Sequence, residues 1–263
     1  MSGLKSLTVD KLGARRFDSA DLASLVLGLA LIGGIAAVID WKFVRSLDFA
    51  VVAEYWQPLL NGALIALSVT ATALVVGLAL GIVIAILLQL PLGPLRWLLL
   101  LYVELWRNTP LLVQLFWIHF GLPVVTGVSP TALESGLLAL TLQSSAYLAD
   151  IARAGIQAVP RGQWQAGRAL GLPTASLWLD VVLPQALKIM IPPFANLALS
   201  FLNGSALLGL IQVGELMTVA TKISDYTFKP IEIMTAVGAL YLVLNLVVGR
   251  LAHRLELATR TPR

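Results

Sequence analysis

The sequence contains no cysteine and few charged residues. Of its 263 residues only 12% are charged, whereas 58% are apolar, and the mean hydropathy is +0.88. Soluble domains average about 25% charged and about 45–50% apolar residues, so a water-soluble globule and a disordered chain are both excluded. The lack of cysteine excludes a disulfide-bonded secreted module and a Cys-ligated zinc or iron–sulfur site. The composition therefore indicates an integral membrane protein with several helices.

The side-chain sets needed for catalysis or metal binding inside a membrane are also missing. The two histidines, His119 and His253, cannot form a local metal site. His119 has no nearby nucleophile, and Asp150 has no acidic partner at matching depth. We therefore predict no catalytic site, no metal site and no bound cofactor, which disfavours an intramembrane protease or lipid-processing transferase.

Six segments are long and apolar enough to cross about 30 Å of hydrocarbon. They are residues 22–39, 59–90, 95–120, 132–155, 189–211 and 231–251. Pro110 interrupts the third segment, and Pro192-Pro193 and Asn203-Gly204 are predicted to break the fifth, because proline lacks a backbone donor. Gly77 and Gly81 are predicted to allow close helix packing. The sequence thus predicts an all-α, polytopic membrane helix bundle.

Basic residues set the predicted orientation, since cytoplasmic loops are enriched in Lys and Arg. The predicted transmembrane domain covers residues 22–251. With six spans, the tails 1–21 and 252–263 and the polar loop 157–188 lie on the same side of the membrane. That side holds 13 of the 18 Lys and Arg residues, the other side holds four, and Arg107 lies within a span. Both tails and the loop are therefore predicted to be cytoplasmic. The basic charge reflects this topology, and no nucleic-acid partner is expected.

The loop 157–188 carries the most specific pattern in the sequence. Residues Gln163 to Leu170 are predicted to form a short helix that Gly171 ends, with Pro173 just beyond it. Leu183-Pro184 then precedes re-entry into the membrane. A rigid helix between two spans can transmit motion from a docked partner to both spans.

The spacing of this loop resembles the EAA loop of ABC importer permeases. The family pattern is Glu-Ala-Ala, three residues, Gly, nine residues and Ile-x-Leu-Pro. Here Gln165-Ala166-Gly167, Gly171 and Val181-Val182-Leu183-Pro184 stand at the same spacing, with Gln for Glu, Gly for the second Ala and Val for Ile. The loss of the Glu charge puts a salt bridge from this position to an ATPase in doubt, although Gln can still form hydrogen bonds.

Three further runs resemble the polar amino-acid uptake branch of that family, the histidine and glutamine type. They are Tyr102 to Gln114, Ala146 to Asp150 and Gly155 to Pro160. The resemblance covers about residues 59–251 and implies the type I ABC importer transmembrane fold, with span 22–39 added to a five-span core. It implies a multi-pass permease subunit of the bacterial inner membrane that carries polar amino acids. An opine or another small solute is the alternative substrate, and a passive channel is a disfavoured alternative.

The resemblance also implies partners. Two permease subunits, identical or different, form the pore, a cytoplasmic ABC ATPase dimer binds ATP and Mg, and a solute-binding protein delivers the substrate. The chain has no Gly-x4-Gly-Lys-Ser/Thr sequence, so we expect the ATPase to be a separate polypeptide. The residues expected to couple the ATPase to the spans are Gln163, Trp164, Gln165, Ala166, Gly167, Arg168, Gly171, Leu183 and Pro184.

Polar side chains within the apolar spans are candidates for the substrate path. Glu104 and Arg107 lie three residues apart, so they are predicted to pair on one helix face, as are Asp150 and Arg153. The path candidates are Glu104, Arg107, Thr109, Gln143, Ser144, Asn196, Ser200 and Asn203. Two competing interpretations stay open. The Ser and Asn side chains can instead form hydrogen bonds between neighbouring helices, and the Glu104–Arg107 pair can instead only stabilise a broken helix.

Overall fold

The residues that the structure describes are almost entirely helical. The structure is a computed structural model that describes residues 19–91 and 93–259. The α-helices are α1 (Ser19–Val38), α2 (Trp41–Ser46), α3 (Ala50–Glu54), α4 (Trp56–Leu87), α5 (Pro94–Asn108), α6 (Leu111–Phe116), α7 (Leu122–Thr126), α8 (Ala132–Gln157), α9 (Arg161–Ala169), α10 (Thr174–Ser176), α11 (Leu183–Gly204), α12 (Leu216–Thr227) and α13 (Pro230–Thr259). The remaining helical turns are π-helical at Trp117–Gly121 and Leu177–Val182 and 3-10 at Ser205–Ile211. No strand occurs in these ranges, which agrees with the predicted all-α class.

The chain divides into two compact units, Met1–Asp48 and Phe49–Arg263. The described part of the first unit contains α1, which matches the first predicted span, and α2. The boundary falls inside the predicted domain of residues 22–251, whose extent stays a prediction. Of the predicted tails, residues 1–18 and 260–263 lie outside the described residues. The second unit contains α3 to α13 and all the predicted site residues.

The centre of the second unit is the contact between α4 and α8. A Cβ atom on Gly77 would lie 2.0 Å from the Ser144 hydroxyl oxygen, and one on Gly81 would lie 2.8 Å from Cβ of Leu148. The Ser144 hydroxyl donates to the carbonyl of Ala73 across the same contact at 2.9 Å. The prediction that these two glycines allow close helix packing is therefore confirmed.

Replacing Gly77 by valine is expected to lower the free energy of unfolding by about 1–3 kcal/mol, since overfilling a packed contact forces the helices apart. The matched control is Gly238→Val in α13, where an added Cβ meets no atom within 4 Å. Both changes alter helix propensity equally, so the difference between them reports packing. Thermal unfolding of the two purified variants in detergent measures that difference. Equal melting temperatures would contradict the close contact.

Helix length and composition give three to five membrane spans. Among the described residues three segments qualify directly, Trp56–Leu87, Thr174–Ile211 and Pro230–Ala258, and the number rises to five if each of two bent helix pairs is one span. The prediction of about six spans also counted α8. This helix is 26 residues long, and about 1.5 Å per residue makes it long enough to cross. It is less apolar than the other spans because much of its surface packs against other helices.

Pro192 and Pro193 do not break the fifth predicted span. The α11 helix runs without interruption from Leu183 to Gly204, so it also begins earlier than predicted and shortens the polar loop 157–188. Both prolines lie on the exposed side of the helix. Membrane helices tolerate proline where neighbouring groups satisfy the freed carbonyls. The α-helix does end at Gly204, as predicted, and a 3-10 segment follows it.

Candidate functional site

The α9 helix is the short helix that the loop spacing predicts. It covers Arg161–Ala169, within two residues of the predicted bounds at each end. The Gly171 N–H donates to the Arg168 carbonyl at 3.0 Å, and the Leu172 N–H donates to the Gly167 carbonyl at 3.1 Å. Gly171 has a φ of 67°. This is a Schellman cap closed by a left-handed glycine, so Gly171 ends the helix as predicted.

The inner face of α9 is attached to the neighbouring helices by close apolar contacts. The rings of Trp164 and Trp178 meet edge to face at 87°, with centroids 5.1 Å apart. Gly167 is buried, and a Cβ atom there would lie 2.4 Å from the Leu177 Cδ1. The buried cluster beside these residues consists of Val159, Val182 and Ala186. Because Leu177–Val182 continues directly into α11, these contacts join α9 to the start of α11.

The predicted coupling residues fall into two groups. Trp164 and Gly167 face inward and attach α9 to the bundle. The other members lie exposed on the outer face of α9, in its cap or at the start of α11: Gln163, Gln165, Ala166, Arg168, Gly171, Leu183 and Pro184. The exposed group presents a surface that a partner can contact. Their role in coupling stays a prediction.

A sharp bend separates α5 from α6. The two helical arms, Pro94–Asn108 and Leu111–Thr126, meet at 107°. Thr109 has extended backbone dihedrals, φ −97° and ψ 139°, and Pro110 has no N–H to donate. The carbonyls just before the bend therefore lose their helical partners.

Side chains take the place of those missing partners. The Gln114 side-chain amide donates to the carbonyl of Trp106 at 2.9 Å and to that of Thr109 at 3.1 Å. From α8, the Tyr147 hydroxyl donates to the carbonyl of Arg107 at 3.1 Å, and the Gln143 amide donates to that of Thr109 at 3.3 Å. The bend is therefore a fixed part of the fold that α8 stabilises.

Replacing Gln114 by leucine is expected to lower the free energy of unfolding by about 1–3 kcal/mol, because the part-buried carbonyl of Trp106 loses its side-chain donor and that of Thr109 keeps only Gln143. Leucine has nearly the volume of glutamine, so packing changes little. The matched control is Gln89→Leu, at an exposed glutamine just after α4. Thermal unfolding in detergent compares the two variants. A Gln114→Leu protein as stable as its control would show that this amide does not stabilise the bend.

Both predicted ion pairs are present, and they join into one network. Arg107 Nη2 lies 3.6 Å from Glu104 Oε1, and Arg153 Nη2 lies 2.9 Å from Asp150 Oδ1. Arg107 Nη1 also contacts Asp150 Oδ2, which ties α5 to α8. Two acidic and two basic groups together carry no net formal charge. Sequence reasoning missed the contact between Arg107 and Asp150, although opposite charges in two separate spans were a usable signal.

The polar residues of α11 share one face. Asn196, Ser200 and Asn203 are spaced four and three residues apart and all are exposed. The Asn245 amide of α13 donates to Asn203 Oδ1 at 2.8 Å. An exposed amide in hydrocarbon is unfavourable, so this face requires protein or water against it. Ser144 does not share this exposure. It is fully buried between α4 and α8, where its hydroxyl joins the two helices.

Glu215 is a buried acidic residue that sequence reasoning missed. It has no exposed surface and caps α12, where its carboxylate accepts from the N–H groups of Met217 at 2.8 Å and Thr218 at 2.9 Å. The Tyr241 hydroxyl of α13 donates to the same carboxylate at 3.2 Å. The group therefore holds α12 against α13. Glutamate is an uncommon N-cap, so the sequence offered no strong signal for it.

An open cavity of about 550 Å³ lies between α4, the start of α8 and the turn Gln212–Gly214. Its polar lining consists of Ser68, Thr72, Thr131 and Gln212. None of the predicted path residues lines it. The cavity is therefore separate from the bend, the ion-pair network and the polar face of α11.

Comparison with known proteins matches this chain to membrane components of transport systems. The sequence model of the family described as "Binding-protein-dependent transport system inner membrane component" matches residues 77–261. The arginine transport system permease protein ArtQ of Bacillus subtilis (strain 168) is 32% identical over 211 residues, which covers 80% of this chain and 96% of that protein. The octopine transport system permease protein OccM of Rhizobium radiobacter is 32% identical over 220 residues, covering 78% and 89%.

Solved structures share the fold. The crystal structure of an amino acid ABC transporter with histidines contains a chain that is 34% identical, with a TM-score of 0.76 and coverage of 80% of this chain and 98% of that chain. An inward-facing structure of the MetNI methionine ABC transporter has a TM-score of 0.66 at 20% identity, covering 77% and 96%. At that identity the second likeness concerns the fold alone.

Proposed function

Because this chain belongs to the family of binding-protein-dependent transport system inner membrane components, we propose that it carries polar amino acids through the inner membrane as the permease subunit of an ABC importer. Relatives named for arginine and glutamine transport support this substrate class. The relative named for octopine favours an opine as the second candidate. The matched region, residues 77–261, begins inside α4 and contains the bend, whereas α1 lies outside it.

The observation that carries the proposal is the geometry of α9. An exposed helix on a rigid apolar base is suited to receive force from a partner and pass it to α11. The partner is a separate ABC ATPase dimer that binds ATP and Mg. Because that dimer is cytoplasmic, the loop 157–188 and both tails lie in the cytoplasm. ATP moves the spans only if the docked geometry is favoured in one conformational state.

The substrate path lies between two permease subunits. The exposed polar face of α11, with Asn196, Ser200 and Asn203, requires a polar neighbour. A second copy of this chain or a sister permease provides one, and the interface between the two encloses a polar route through the bilayer. Glu104, more than half exposed, adds an acidic group that is open to such a route. A solute-binding protein delivers the substrate at the outer side.

Affinity purification and uptake together test the proposal. A tagged permease, expressed with the ABC ATPase and solute-binding protein encoded beside it, is expected to retain the ATPase in detergent. Cells that contain all three proteins are expected to accumulate labelled arginine or glutamine, and unlabelled octopine as a competitor distinguishes the second candidate. A permease that purifies without the ATPase and supports no accumulation would contradict the proposal.

A further inference from the structure

One face of α11 carries polar side chains where a lipid-facing helix carries apolar ones. Asn196, Ser200 and Asn203 are exposed along this face, inside the apolar span Thr174–Ile211. The exposed side chains in the middle of α13 are instead leucine and valine, among them Leu246, which is 47% exposed. The α13 surface suits hydrocarbon, whereas the α11 face requires a polar partner.

The three side chains of this face have hydrogen-bonding groups to offer a partner. Among the described residues the Asn196 amide has no hydrogen-bond partner. The Ser200 hydroxyl donates to the Asn196 carbonyl at 3.0 Å, which leaves its oxygen available to accept. Asn203 Oδ1 accepts from Asn245 at 2.8 Å, and in the same part of the chain the Asn203 N–H groups meet no acceptor. The face therefore offers donors and acceptors together.

This face also lacks charge. Residues 189–214, which include all three polar side chains, contain no Asp, Glu, Lys, Arg or His. Neutral amides and hydroxyls donate as well as accept hydrogen bonds, so a surface made of them is complementary to an identical surface. A charged face would instead repel its own copy.

Membrane topology determines how two copies of this face meet. Both copies have the same orientation in the bilayer, because the same basic residues set it. The two-fold axis that relates them therefore runs along the membrane normal, and each residue meets its own copy at equal depth. Asn196 and Asn203 are separated by about two helical turns, or about 10 Å, so they form two amide pairs with Ser200 between them.

We propose that the partner of this face is a second copy of the same chain, in which Asn196, Ser200 and Asn203 each contact their own counterparts. The inference rests on the proposed function, which needs two permease subunits and leaves the second one open. Paired asparagines between helices also fix the register of the interface. The polar route between the subunits is then lined by the same residues on both sides.

Crosslinking tests the contact directly, because the chain has no cysteine and Ser200→Cys supplies a single one. In membranes of cells that also contain the ATPase and any sister permease encoded beside this chain, copper phenanthroline is expected to link most of the Ser200→Cys protein into a dimer. The matched control is Leu246→Cys, on the exposed apolar side of α13, which is expected to stay monomeric. A dimer yield no higher than that of the control would overturn the proposal.

Two differently tagged copies test the identity of the partner without a cysteine. Purification through the first tag is expected to recover the second copy in detergent, and Asn196→Leu in both copies is expected to lower this recovery several-fold, because the amide pair is lost. Leucine favours the helix more than asparagine does, so the loss would not result from unfolding of α11. Asn61→Leu, at an exposed asparagine of α4, is the matched control and is expected to behave like wild type. Equal recovery of the two variants would overturn the amide pairing.

The outcomes separate this inference from the proposed function. If the wild-type permease retains the ATPase and supports uptake but recovers a sister permease in place of a second copy, only this inference fails. If it retains no ATPase and supports no uptake, the proposed function fails and the inference fails with it. The tagged wild-type copies carry no substitution in α11, so their result holds even where a cysteine variant does not assemble.

Discussion

Replacing Arg107 by methionine is expected to lower substrate uptake about tenfold or more, because Asp150 then keeps only Arg153 as a cation and Glu104 has none, which leaves a net negative charge among the spans. Arg107 ties α5 to α8 through Asp150 and also contacts Glu104 on its own helix. Its carbonyl also accepts from Tyr147 at the bend. That carbonyl is a backbone atom and keeps its hydrogen bond in the variant, so the change removes the ion pairs alone. Uptake of labelled substrate into cells measures the effect.

The same helix offers a matched control for this change. Arg96→Met alters an exposed arginine at the start of α5 and is expected to leave uptake near wild type. A double-mutant cycle of Arg107→Met with Asp150→Asn is expected to show a coupling free energy of about 0.5–3 kcal/mol in thermal unfolding. Additive effects together with normal uptake in Arg107→Met would show that the network is dispensable.

Replacing Gly171 by valine is expected to separate ATP hydrolysis from transport. Gly171 has a φ of 67°, a conformation that costs a residue with a side chain about 1–2 kcal/mol and a β-branched residue more. No atom lies within 4 Å of an added Cβ, so the effect arises from the backbone rather than from a clash. The cap of α9 opens and the helix no longer holds its position. We expect normal membrane insertion, continued ATP hydrolysis and uptake about tenfold lower, since about 1.4 kcal/mol of backbone strain corresponds to a tenfold change in the population of the capped helix.

Two controls isolate the backbone conformation. Gly171→Asn keeps most of the uptake, because asparagine adopts the left-handed conformation more readily. Gly162→Val adds the same bulk at an open position of α9 with an ordinary φ and is expected to have a small effect. If uptake and its stimulation of ATP hydrolysis both persist in Gly171→Val, Gly171 has no role in coupling.

The features that the sequence predicted well are those set by neighbouring residues. The α9 helix and its glycine cap follow from a short periodic segment before Gly171 and Pro173. The ion pairs at spacing three follow from helix geometry. The interruption at Pro110 follows from its missing N–H, although the sequence could not predict that the arms meet at 107°.

The features that the sequence did not predict depend on contacts between distant segments. Arg107 and Asp150 are 43 residues apart, and only the packing of α5 on α8 brings them together. The prolines at 192 and 193 also show this limit. Proline lowers local helix stability, but flanking turns that pack on other helices kept α11 continuous. Ser144 was a path candidate on polarity alone, and the close approach of α4 explains its burial instead.

Transport in reconstituted vesicles tests the central claim most directly. Proteoliposomes that contain this permease and its ATPase, with the solute-binding protein supplied on the outer side of the permease, are loaded with or without ATP and Mg on the ATPase side. We expect labelled substrate to accumulate against its gradient only when ATP is present and only when the binding protein is supplied. Equilibration at the same rate without ATP would identify a passive channel and contradict an ATP-driven permease.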